Sequence, residues 1–83
     1  MKFKAEINIM PLKTLLDPQG KAVSASMKNI KLSEISNVRI GKHITLEIDA
    51  ESEEVANKKV SDACTKLLVN QIKEEYRFTI KKI

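Results

Sequence analysis

Residues 2–9, KFKAEINI, alternate polar and apolar side chains without a break, which puts Phe3, Ala5, Ile7 and Ile9 on one face. Successive strand residues point to opposite sides of a sheet, so this spacing predicts a strand buried on one face. The C-terminal YRFTIKKI repeats the pattern, with Tyr76, Phe78 and Ile80 set against Arg77, Thr79 and Lys81. A chain with such a strand at each end must supply something apolar to cover them. At 83 residues it is long enough for one domain, residues 1–83, that buries only roughly 60% of the surface its unfolded chain exposes. The core is expected to be thin, and a partner is expected to help.

The cover comes from two helical segments. In LLDPQG, Asp17 is suited to cap a helix and Pro18 to occupy its first position, where no N–H is needed. Val23, Met27 and Ile30, flanked by Ala22 and Ser26, then form a stripe to about Ile30. Gly20 falls in the first turn, where it costs up to about 1 kcal/mol relative to alanine, so something other than helix propensity has placed it. The second helix is better specified. Ser52 caps it, Glu53 and Glu54 complement its positive end, and Ala56, Val60, Ala63, Cys64, Leu67 and Leu68 form the stripe.

Between the helices, SNVRIGKHITLEIDA alternates again, with Val38 and Ile40 before Gly41 and Ile44, Leu46 and Ile48 after it. Gly41 and Lys42 are read either as a tight hairpin turn or as a bulge bending one long strand. The order β-α-β-(β)-α-β predicts an α+β two-layer sandwich, ferredoxin-like or close to it, with both helices on one face of an antiparallel sheet.

Composition limits the function. Charged residues are 31% and apolar residues 42%, the profile of a globular domain. No apolar run approaches the roughly 20 residues that span a bilayer, the start lacks a secretory core, and the one cysteine cannot form an internal disulfide, so a cytoplasmic protein is expected. Residues 1–42 hold eight Lys or Arg against three acids, and residues 43–83 seven against eight. Three aromatics and no dense basic run argue against nucleic-acid binding. The search for chemistry returns no catalytic, cofactor-binding or metal-binding residue. His43 has no ligand partner at metal spacing, Cys64 sits on an apolar stripe, and no phosphate loop or nucleophile elbow is present.

LDPQG followed by AV, then VRIGK, then KLLVNQIKEEYRF after the helix bearing Cys64 resemble, in order and spacing, the PurS-type small subunit of phosphoribosylformylglycinamidine synthase. The resemblance runs from Phe3 to Phe78. It implies a non-catalytic subunit that pairs with itself and bridges a glutaminase and a large synthetase subunit; the small core and the open strand edges point to a dimer through sheet edges or strand faces. The complex would use ATP, Mg and glutamine to convert formylglycinamide ribonucleotide to its amidine, with no cofactor bound by this chain.

Against that background, Gly20 is read as a side-chain-free first turn open to a partner's backbone or a dimer mate, with Asp17 and Gln19 beside it as polar anchors, or alternatively as a local packing constraint between helix and strand. Arg39, Gly41 and Lys42 are read as a basic turn facing acids on a larger subunit, the alternative being an ordinary turn with solvated bases. A ligand-sensing module using the helix N-terminus at DPQG is the rival function, with RNA binding behind it.

Overall fold

The computed structural model describes residues 1–83. Its centre is β1 (Lys2–Pro11), paired antiparallel on one side with β2 (Lys42–Asp49) and on the other with β3 (Glu74–Lys82), giving the order β2-β1-β3. Opposed residues of an antiparallel ladder share a face, so the register decides what is buried. Ile7 stands between Ile44 and Phe78, and Ala5 between Leu46 and Ile80, which merges the three alternations into one apolar surface. The other face carries Glu6, Asn8, His43, Thr45, Arg77 and Thr79, all exposed.

That apolar surface is covered by α2 (Glu53–Ala63), whose start is fixed by the Ser52 hydroxyl accepting the Val55 N–H at 3.2 Å. The helix packs on β1 and β3. Ala5, Ile7, Ile9, Val60, Cys64 and Val69 form the core, and burial pushes the Cys64 thiol pKa up. Beyond Ala63 the helix widens into a π turn, Cys64–Leu68, with Val69 N–H donating to the Cys64 carbonyl at 3.0 Å. A wider turn breaks the 3.6-residue period. Leu67, expected in the buried stripe, is therefore 81% exposed, while Val69 turns inward.

Two further expectations are corrected. No strand forms before Gly41: residues 36–41 are irregular, and a single strand starts at Lys42, so the segment is neither a hairpin nor one bent strand. The reason is that Val38 and Ile40 engage the first helix rather than a strand. That helix, α1 (Pro18–Ser26), continues as a 3-10 turn, Met27–Ile30, and the chain reverses at Lys31 with φ 65°. Unlike α2, α1 does not pack along the sheet, and Gly20 is its only buried residue. The Cα trace is correspondingly long and flat, 51 × 27 × 14 Å, and only nine of the residues are buried, which confirms the thin core.

Ile7 is fully buried at the middle of the central strand, between Ile44 and Phe78. Ile7→Ala should cost about 2–5 kcal/mol, read as a lower urea midpoint at unchanged slope, because the rigid strands on both sides cannot close the cavity.

Candidate functional site

The six residues singled out from LDPQG and VRIGK meet at one end of the sheet, and Asp17 joins the two segments. One carboxylate oxygen, Oδ1, accepts the Gly20 N–H at 3.0 Å and so caps α1. The other, Oδ2, accepts the Ile40 N–H at 3.0 Å and holds the approach to β2. The Gly20 and Ile40 amides, in that order, hold the Asp17 pKa below the usual carboxylate range, with a further contribution from nearby Arg39.

Gly20 is explained by the same junction. A β-carbon there would lie 2.2 Å from the Val38 carbonyl oxygen and 2.6 Å from Asp17 Oδ2. The close approach is made by the chain's own backbone, so packing accounts for this glycine. Gly41 has a similar reason, since a β-carbon would lie 2.2 Å from the Ile9 carbonyl oxygen. Its φ is not positive, so it serves the close pass of the chain over the end of β1 and not a left-handed turn.

The bases divide. Arg39 is half-buried and donates a hydrogen bond to the Pro11 carbonyl, tying the irregular segment to the end of β1. Lys42 reaches Glu74 at 3.2 Å, joining the two edge strands across β1. Glu74 also accepts the Asn70 N–H at 2.9 Å, and this bond, then Lys42, lowers its pKa. The Gln19 side chain is exposed, on the rim of a cleft of about 510 Å³ that also includes Asp17, Pro18, Gly41, Lys42 and Glu74.

Pro11, Ile40 and Glu74 were not singled out from the sequence. They contribute a backbone carbonyl, a backbone N–H and a carboxylate near a strand start, and the residue letter signals none of the three roles. His43 lies on the opposite, polar face, with Nδ1 2.6 Å from Asn8 Oδ1 and Nε2 3.7 Å from Glu6. Cys64 is enclosed beneath α2. Neither joins the cleft.

The family model for PurS, phosphoribosylformylglycinamidine (FGAM) synthase, matches residues 4–82. The chain belongs to the PurS family. It is 32% identical over 81 residues to the FGAM synthase subunit PurS of Bacillus subtilis, an overlap covering 98% of this chain and 95% of the relative. With the Thermotoga maritima subunit it shares 36% over 74 residues, covering 89% and 90%. Among solved structures, Methanocaldococcus jannaschii PurS superposes with a TM-score of 0.86 at 28% identity, covering 98% of each chain. A chain in the structure of PurLQS from Thermotoga maritima gives 0.86 at 32% identity, covering 100% of this chain and 99% of that one.

Both segments tied by Asp17 are ones that carried the PurS resemblance. In this PurS-family chain, Gly20→Ala should lower thermal stability, because the Val38 carbonyl, 2.2 Å from the new β-carbon, would have to move by about an ångström; the alanine's better helix propensity does not offset that. The junction should also be acid-sensitive. A carboxylate whose folded pKa is depressed stabilises the fold above its unfolded pKa, and that contribution is lost as pH falls through the lower, folded value. The Gly20 and Ile40 amide resonances should therefore titrate together, with a common midpoint below the ordinary aspartate range.

Proposed function

We propose that this chain acts as the non-catalytic small subunit of FGAM synthase in purine biosynthesis, pairing with itself and bridging a glutaminase and a large synthetase subunit in the cytoplasm. The observation that carries the reading is likeness over the full length to a chain in the structure of PurLQS. No helix of the chain is long and apolar enough to cross a membrane.

In this reading the glutaminase releases ammonia from glutamine, and the synthetase uses ATP, with Mg, to activate the amide oxygen of formylglycinamide ribonucleotide so that ammonia displaces phosphate. Free ammonia would be protonated and diluted in bulk water, so the two sites must be held in a fixed relation. The small subunit contributes a rigid end of sheet. Asp17, Gly20, Gly41 and Arg39 set its shape from within, while exposed Gln19 and Lys42 offer polar groups to a larger subunit. The geometry speaks against the ligand-sensing alternative at DPQG. A helix N-terminus attracts anions through its free N–H groups, and here Asp17 already places a negative charge there and engages Gly20.

Reconstitution tests the proposal. Leaving this chain out of a mixture with the glutaminase and synthetase should abolish glutamine-dependent amidine synthesis while largely sparing synthesis from added ammonium salts. Lys42→Ala should weaken assembly in a salt-dependent way with only a small fall in melting temperature, because a solvent-reached ion pair contributes about 0–1 kcal/mol to the fold. Full glutamine-dependent synthesis without the chain would refute the role.

A further inference from the structure

The polar face of the sheet gathers cations at one end. Register sets a row across the three strands, with Asn8 of β1 between His43 of β2 and Arg77 of β3. His43 Nδ1 lies 2.6 Å from Asn8 Oδ1, so the oxygen of that amide is taken and its nitrogen remains a free donor. Arg39 reaches the same place from the irregular segment, held by one hydrogen bond to the Pro11 carbonyl, and Lys13 follows β1 just beyond its end. Asn8, Met10, Lys13, Arg39, Glu75 and Arg77 are among the residues lining a pocket of about 380 Å³ there. None of its three cations is paired, because the ion pairs of the chain join Lys2 to Glu47, Lys42 to Glu74 and His43 to Glu6.

We infer that this pocket binds the phosphate group of a small phosphate ester, of the class of a sugar or nucleoside monophosphate. The site is separate from the bridging role and from the cleft at Asp17. Charge selects the group. Lys13, Arg39 and Arg77 stand against one acid, Glu75, which leaves two positive charges in excess, and a phosphate monoester carries about −1.5 to −2 near neutral pH. Geometry selects it as well. A guanidinium presents a planar fork of five N–H donors, and only one partner, the Pro11 carbonyl, engages that of Arg39. Arg77 comes from β3, Arg39 from residues 36–41, Lys13 from the chain after β1 and the amide from Asn8, so donors approach from several sides. Several oxygens arranged as a tetrahedron can use such a set, whereas a carboxylate has two oxygens in one plane and one charge. The volume falls within the roughly 300–1,000 Å³ of small-molecule pockets and leaves room for the group that the phosphate esterifies.

The test is a titration of the full chain followed by the Arg side-chain Nε–H and Asn8 amide resonances. Ionic strength is held fixed, because screening alone shifts signals from exposed charges. Ribose 5-phosphate is the probe, and inorganic phosphate and glutarate are the other arms. Ribose 5-phosphate should move the Arg39, Arg77 and Asn8 signals along one saturating curve. Inorganic phosphate should move the same signals with weaker affinity, since the ester adds contacts in the rest of the pocket, and glutarate should do so at least about tenfold more weakly than the ester. Lys13→Ala with Arg77→Ala alters exposed side chains, so melting should hold while the dissociation constant for the ester rises at least about tenfold. Glu75→Gln removes the one opposing charge and should tighten binding severalfold. Shifts that fail to saturate, or an affinity that the double variant leaves unchanged, overturn the site. Inorganic phosphate binding as tightly as the ester, or glutarate binding as tightly as either, overturns the assignment of the ligand.

Discussion

A single carboxylate sets the layout of this chain. Asp17 accepts from Gly20 and from Ile40, so the start of α1 and the entry to β2, distant in sequence, are fixed to each other. Two backbone N–H groups directed at one anion make charge-assisted hydrogen bonds, stronger than those of a neutral acceptor. The consequence reaches beyond the junction. With its first turn tied to the 38–40 segment, α1 starts at the end of the sheet and is not laid along it, and the β2 side of the apolar face stays open.

The two glycines of the chain belong to this layout. Each stands where a neighbouring carbonyl approaches within 2.2 Å of the position a β-carbon would take, Val38 for Gly20 and Ile9 for Gly41. Backbone packed this closely is rigid, and Arg39 at Pro11 and Lys42 at Glu74 brace the same end. In the proposed role, a subunit that holds two larger partners in register needs a stiff surface more than it needs a reactive one. The polar groups around the cleft fit that need, since most of them are already engaged in shaping it.

The thin core has a functional counterpart. A chain with nine buried residues gains little from its own interior, and it leaves apolar surface on α1 and β2 that water disfavours. In the proposed role, such a chain is completed by what it binds. For a PurS-family protein, stability and assembly are therefore linked, because every copy or partner that covers this surface favours the folded form by mass action.

The sequence by itself determined the three strands, the place of both helices, and the buried face of β1 and of the second helix as far as Cys64. Period-2 alternation in β1 and β3 and the capped stripe from Ser52 to Cys64 are local signals, and local backbone geometry obeys them. It also carried the family, through LDPQG, VRIGK and KLLVNQIKEEYRF. What it left open was everything that depends on residues far apart. Whether Gly20 served a partner or the chain's own packing turned on the Val38 carbonyl, and Arg39 turned on the carbonyl of Pro11; backbone groups are the same at every position, so no letter marks which of them will be met. The fate of Val38 and Ile40 was decided in the same way. Their alternation fits a strand, but a strand needs a neighbour to pair with, and the Ile40 N–H is bonded to Asp17 instead. Only the tertiary structure could decide that, because a hydrogen-bond donor goes to the acceptor that folding brings within reach, and that distance is not written in either segment alone.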